Sequence, residues 1–176
     1  RFGGDKLSAS FHDQPLLHRA ISAARAAPVA RVIVVCPHGL ALDDWPGHPP
    51  VVAERLRSEA LSESLKAGVA AAVDFDVDGV FVFLGDMPLI PHDIASRLAA
   101  ALGDGFAAIP RHGGTLGHPV LLSRRAFPAI AGLSGDEGAG RLLRQRADVR
   151  FIDVDSDAIL LDVDRPDDLR RLSDHP

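Results

Sequence analysis

The sequence predicts an α/β fold: one doubly wound, mostly parallel sheet with helices on both faces, in a single domain spanning residues 1–176. Two observations carry that prediction. Short apolar runs alternate along the chain with helical segments of about ten residues, the rhythm of strand–helix–strand units. The run Phe81-Val82-Phe83-Leu84 shows no polar alternation, which is the pattern of a strand buried on both faces. It ends in Gly85-Asp86-Met87-Pro88, where a glycine, a carboxylate and a proline stop the strand. Ligands in open α/β sheets bind beyond the carboxyl ends of the strands, so Asp86 stands where a metal ion and a phosphate can sit. The same three residue types also make ordinary turns.

Taken in order, Pro15 to Ala27 reads as a helix with proline near its first turn and Leu17, Ala20, Ile21 and Ala24 on one face. Arg31 to Cys36 reads as a buried strand closed by Pro37 and Gly39, and Asp43 to Pro50 as a loop. A short strand at Val51-Val52 follows. The helix expected over Leu61 to Val73 turns Leu61, Leu65, Val69 and Ala72 to the core. After the strand Val80 to Leu84 comes a helix over Asp93 to Leu102, carried by Ile94, Leu98 and Leu102. Phe106 to Ile109 is a strand, Arg111 to Gly117 a glycine-rich loop, Pro119 to Leu122 a strand and Arg124 to Ala131 a helix. Gly138 to Arg146 (helix), Arg150 to Val154 (strand), Ile159 to Val163 (strand) and Pro166 to Leu172 (helix) complete the reading.

Composition narrows the function. At 47% hydrophobic and 24% charged the chain is an ordinary globular protein, with a core of small aliphatic residues because aromatics reach only 5%. A net charge of −5 argues against nucleic acid as the main partner, since a phosphate backbone needs a basic face. It does not exclude a nucleotide. The single Cys36 suits a reducing cytoplasm, and no apolar run reaches the length of a membrane span. The chain starts at Arg1 rather than at a methionine, and the expectation is that residues upstream are absent from it.

Several constellations can carry chemistry. Arg1-Phe2-Gly3-Gly4-Asp5-Lys6 sets two cations around two glycines, so turn amides and positive charge can face a phosphate. It lacks P-loop spacing and can equally be a solvated segment. Strand alternation would point Asp162 and Asp164 to one side. Asp164 also stands where an N-cap would precede Pro166. Asp74 to Gly79 begins like a calcium loop, but position twelve is Gly85, and a solvated turn is the better reading. Cys36-Pro37-His38 lacks the further ligands of a transition-metal site, and no Gly-x-Ser-x-Gly elbow is present.

Together these residues give a family resemblance. Arg1-Phe2-Gly3-Gly4-Asp5-Lys6-Leu7 is similar to the second half of the signature that opens the molybdopterin nucleotidyltransferases; its first strand and glycine turn would lie upstream. Leu61-Ser62-Glu63-Ser64-Leu65-Lys66-Ala67-Gly68 resembles that family's Ser-x-Ser-Leu-(Arg/Lys)-Ala-Gly helix, and Gly85-Asp86-Met87-Pro88 its metal motif. Gly117-His118-Pro119-Val120 and Gly135-Asp136-Glu137-Gly138-Ala139 match two motifs of the acceptor half. Asp162-Val163-Asp164-Arg165-Pro166-Asp167-Asp168 resembles the closing segment, with Arg165 where the family has threonine. The Ser62 helix and the Gly117-His118-Pro119 motif favour the cytidylyltransferase branch, whereas Gly3-Gly4-Asp5-Lys6 looks like the guanylyltransferase branch.

The resemblance implies a Rossmann-like nucleotidyltransferase that moves CMP from CTP to a molybdopterin-type phosphate, releasing pyrophosphate; the close alternative keeps that chemistry with GTP as donor or another small phosphate as acceptor. An ionised phosphate attacks without a general base, so the site needs Mg²⁺, carboxylates and cations rather than a nucleophilic side chain. It implies Lys6 and Asp86 as catalytic residues, and Asp86, Asp164 and Asp162 as metal ligands. Arg1, Gly3, Lys6, Ser62, Ser64, Gly68 and Gly85 would bind nucleotide, and Gly117, His118 and Asp136 the acceptor. A structural hydrogen bond for His118 and a helix cap for Asp136 stand as alternatives. A molybdoenzyme client is the implied protein partner, and a carrier of molybdenum cofactor without turnover is the reading from another class.

Overall fold

The computed structural model describes residues 6–57, 60–135 and 138–174. Arg1, Gly3 and Asp136 lie outside the described residues. A 3-10 turn at Lys6–Ser8 leads into a small antiparallel hairpin of β1 (Ser10–Phe11) and β2 (Gln14–Pro15). Helix α1 (Leu16–Ala26) follows and buries the predicted Leu17, Ala20, Ile21 and Ala24. Strands β3 (Val32–Pro37) and β4 (Val51–Leu56) form a parallel pair, β4 running further than the expected two residues.

Helix α2 (Leu61–Val73) has the expected bounds. Its core face differs at one position: Val69 and Ala72 are buried, but Leu61 is 49% exposed. Helical side chains lean toward the N-terminus, so the first residue points off the end of the helix, here toward Gly138.

Strand β5 (Gly79–Val82) is followed by α3 (Ile94–Leu102), β6 (Ala107–His112), β7 (Thr115–Leu116) and β8 (Val120–Ser123). The short helices α4 (Phe127–Ala131) and α5 (Gly140–Arg144) come next, then β9 (Val149–Asp153) and α6 (Pro166–Ser173). The main sheet runs β5–β8–β6–β9, with β7 folded back on the far end of β6. It is parallel only in part: β6 and β9 are parallel, whereas β8 is antiparallel to both of its neighbours. Among the described residues β5 is an edge strand, and its residues are half-buried rather than covered on both faces as its sequence suggests.

Two further expectations change. The glycine-rich loop over residues 111–117 is a hairpin, because β6 continues through His112 and turns at Gly113 and Gly114, both with positive φ. The segment Ile159 to Val163 is not a strand. Ser156 Oγ accepts a hydrogen bond from Ala158 N and starts a 3-10 turn over Asp157–Leu160, and Ile159 is spent filling the core.

The helices cover both faces of the sheet, as predicted. On one face Ala107 and Ile109 of β6 and Val120 and Leu122 of β8 pack against Val69 of α2, Phe127 and Ile130 of α4 and Leu143 of α5. On the other, Ala108 and Leu121 meet Ile94 and Leu98 of α3, Ala23 of α1 and Met87. The alternation along β6 and β8 is what a sheet buried on two sides requires. A smaller cluster of Phe11, Leu16, Val163 and Leu172 ties the first hairpin to the closing segment. Among the described residues, no helix is long and apolar enough to cross a membrane.

Candidate active site

Past the end of β5 the chain passes through Gly85 into Asp86. A Cβ on Gly85 would lie 3.2 Å from Leu17 Cδ1 and 3.3 Å from Leu7 Cδ2, so the backbone here is closely covered. Leu7 rests on Gly85, and its neighbour Lys6 is thereby held over Asp86. The Lys6 ammonium donates to Asp86 Oδ2 at 2.7 Å and to Asp164 Oδ1 at 3.4 Å.

Asp164 and Asp162 arrive from the segment before α6. Val163 between them is fully buried, and its N–H donates to the Asp86 carbonyl at 3.0 Å. That bond clasps the closing segment to the turn after β5 and leaves both flanking aspartates exposed. The shared side expected of the two therefore holds, although no strand creates it. One oxygen from each of Asp86, Asp162 and Asp164 falls within 4.8 Å of the others. Asp164 does not cap α6. Asp168 Oδ2 instead accepts from Asp164 N at 3.0 Å and Arg165 N at 2.8 Å, and these bonds hold its carboxyl below the usual range.

Among the described residues, one ammonium among three carboxylates leaves an excess of negative charge. Burial opposes the charge on Lys6, but the hydrogen bonds and charges of Asp86 and then Asp164 outweigh it and raise its pKa. Among the described residues no lysine or arginine pairs with Asp162. Three carboxylate oxygens are a donor set suited to a hard divalent cation, and the ammonium between two of them is a stand-in of the right sign.

Gly117 and His118 lie beside this cluster. A Cβ on Gly117 would sit 2.5 Å from the Ile159 carbonyl, and His118 N donates to that same oxygen at 2.9 Å, so only glycine lets the closing segment pass this close. His118 Nδ1 is 3.4 Å from the Val82 carbonyl, which can only accept, so Nδ1 carries the proton of the neutral ring. Burial lowers the His118 pKa, against the opposing pull of Val82, Asp86 and Asp162.

The α2 residues group elsewhere. Ser62 is fully buried, with its hydroxyl donating to the Gly135 carbonyl at 2.5 Å, so it fixes the loop rather than facing a ligand. Gly68 packs on Val35, where a Cβ would come within 3.2 Å of Cγ2. Ser64 lines a cleft of about 530 Å³ with Val35, Cys36, Pro37, His38, Leu56 and Arg57. The cleft opens beyond the carboxyl ends of the parallel pair β3–β4, which is where the general rule for such sheets places a ligand. Arg57 was not singled out from sequence, and His38 was weighed only as a transition-metal ligand, although their positions just after two strands were a usable signal. Asp168 was missed as a cap; an acidic residue three positions after Arg165 was the clue.

Residues 1–149 match the MobA-like NTP transferase domain. The purine catabolism protein PucB of Bacillus subtilis is 27% identical over 180 residues, covering 96% of this chain and 87% of PucB. The molybdenum cofactor cytidylyltransferase of Escherichia coli is 30% identical over 111 residues, covering 63% of this chain and 55% of that protein. The crystal structure of Rv0371c from Mycobacterium tuberculosis H37Rv superposes with a TM-score of 0.82 at 28% identity, covering 100% of this chain and 93% of that one. A complex of Rv0371c with manganese superposes with a TM-score of 0.74 at 27% identity, covering 97% and 92% of the two chains.

Proposed function

We infer the reaction of this chain from its family: it belongs to the MobA-like NTP transferases and is a nucleotidyltransferase. The proposed reaction transfers CMP from CTP to the phosphate of molybdopterin or its molybdenum form. An oxygen of the acceptor phosphate bonds to the α-phosphorus as the bond to the bridging oxygen breaks, and the electron pair leaves with pyrophosphate. The acceptor is already ionised, so no side chain has to remove a proton.

The observation that carries this reading is the convergence of Asp86, Asp162 and Asp164 with Lys6 at the end of β5. Asp86 and Asp164, with Asp162 as a third donor, would hold a divalent cation. Manganese in the Rv0371c complex supports divalent metal use, and Mg²⁺ is the ion proposed here. Such an ion, when bound, neutralises phosphate charge and aligns the in-line displacement. Lys6 adds positive charge for the triphosphate, and Gly85 keeps the backbone beside Asp86 free of a Cβ. Ser64 and Gly68 would border the base and ribose at the β3–β4 cleft, with Ser62 holding their helix to Gly135. His118 beside Gly117 would face the acceptor. Arg1 and Gly3 on the triphosphate and Asp136 on the acceptor rest on the resemblance alone. The proposed setting is cytoplasmic, with a molybdoenzyme as client for the product.

The preference for cytidine rests on the Ser62 and Gly117-His118-Pro119 motifs and on the relation to the cytidylyltransferase. Calorimetric titration of the full-length chain with CTP, GTP and ATP, each with and without Mg²⁺, tests it. Mg²⁺-dependent preference for CTP, followed by pyrophosphate release when molybdopterin is added, supports the proposal. Preference for GTP moves it to the guanylyl reaction, which Gly3-Gly4-Asp5-Lys6 resembles. Binding of none of the three overturns turnover and favours the carrier reading.

A further inference from the structure

We propose that Lys6 is the internal counter-cation of the carboxylate cluster, and that a divalent ion must displace it to bind. The inference rests on the reading that the cluster holds a metal. The ammonium already bridges two of the three carboxylates, at 2.7 Å from Asp86 and 3.4 Å from Asp164. Those two belong to the trio whose oxygens come within 4.8 Å of one another. A magnesium ion binds carboxylate oxygen at about 2.1 Å, so an ion held by these carboxylates would meet the like charge that already pairs with two of them.

The main chain at Lys6 is tied to its neighbours while the side chain can turn. Leu7 packs on Gly85, and Ala9 N donates to the Lys6 carbonyl at 3.2 Å. The four-carbon stem of a lysine can swing its charge several ångströms about a fixed Cα. Exchange of the two cations therefore needs only a change of side-chain rotamer. Two consequences follow. The cluster keeps part of its charge neutralised when no metal is bound, and metal binding releases an ammonium beside the site where the triphosphate would lie. Lys6 thereby makes metal and nucleotide binding mutually reinforcing, and by reciprocity each raises the affinity for the other.

The chain has two lysines, Lys6 and Lys66, and Lys66 pairs with Glu63 on α2. Mn²⁺ titrated without nucleotide and followed by the electron paramagnetic resonance of the free ion should bind about tenfold more tightly to Lys6→Met than to the wild type. Lys66→Met, which removes the same charge elsewhere, should match the wild type. Reductive methylation with ¹³C-formaldehyde keeps lysine charge and gives each lysine a methyl resonance, assigned with Lys66→Arg. Mg²⁺ should move the Lys6 resonance and leave that of Lys66 in place. Equal Mn²⁺ affinity in wild type and Lys6→Met, with an unmoved Lys6 resonance, overturns the exchange while leaving the metal site intact. Failure of both proteins to bind Mn²⁺ removes the metal reading and the inference with it.

Discussion

Arg111 and Lys6 both pair with aspartates brought from far along the chain, and the better-made pair is the less informative one. Arg111 meets Asp153 through two parallel bonds of 2.7 and 2.9 Å, with its guanidinium over the Phe151 ring. The charges there balance one to one, and the aspartate is 73% exposed. Lys6 makes a single good bond to Asp86 and a long one to Asp164, and a third carboxylate stands close by. That group lies past the end of β5, where Val163 N clasps the Asp86 carbonyl. What separates the two places is charge left over and the backbone work that gathers it. Exposed pairs are screened by water and typically contribute no more than about 1 kcal/mol to stability. Among the described residues the carboxylates around Lys6 outnumber the cation beside them, an arrangement suited to a further ion.

The largest effect that would sharpen this contrast is expected at Asp86. Asp86→Asn keeps the shape and removes the charge, and turnover should fall by roughly a thousandfold or more while the thermal midpoint stays near the wild type. Full Mg²⁺-dependent turnover in that variant would erase the distinction between the two pairs. Asp164→Asn should be milder, on the order of ten- to a hundredfold, because it supplies a more exposed ligand beside a remaining aspartate.

Much of this contrast was legible in the sequence. Asp86 followed an apolar run into Gly-Asp-Met-Pro, and Asp162 and Asp164 were spaced to share a side. The α/β class and the bounds of α2 came from the same periodicities. The antiparallel β8 could not be read, because a buried strand has the same apolar composition in either direction. Ile159 to Val163 misled for a related reason: an apolar run fills a core equally well as a 3-10 turn and an extended segment. Ser62 was assigned outward from a motif, while only the fold could show its hydroxyl turned in to Gly135.

The framework that gathers the carboxylates is a separate target. In Gly117→Ala the new methyl would meet the Ile159 carbonyl at 2.5 Å, and backbone cannot yield as a side-chain tip can. A loss of about 1–3 kcal/mol in urea unfolding is expected, together with reduced Mn²⁺ affinity as the segment carrying Asp162 and Asp164 shifts. A normal metal affinity in this variant would show that the clasp at Val163 alone holds the cluster. A smaller effect is expected from His118. Its folded pKa lies below the ordinary 6.5, so the unfolded chain takes up the proton first. Stability from the neutral ring is complete above about pH 6.5 and is lost as pH falls through the folded value. His118→Gln should flatten that part of the stability curve, measured by urea unfolding between pH 5 and 7.5 on approximate steps of half a unit.

The smallest effect is expected at Arg111, and its smallness is what the comparison demands. The hydrogen bonds and charge of Arg111 hold the Asp153 carboxyl below its usual range, so the pair is fully ionised at neutral pH. The contribution is present above the ordinary carboxylate pKa and fades as pH falls through the depressed one. Water screens both partners throughout, and salt near physiological strength reduces what remains. Arg111→Gln should therefore leave turnover within about twofold and the thermal midpoint within roughly 2 °C of the wild type. Adding salt should shrink even that difference. A large loss of turnover, with the midpoint unchanged, would mean that the β6–β7 hairpin reaches the acceptor. Ideal geometry would then mark a second functional cation, and charge imbalance would no longer suffice to tell a site from a surface.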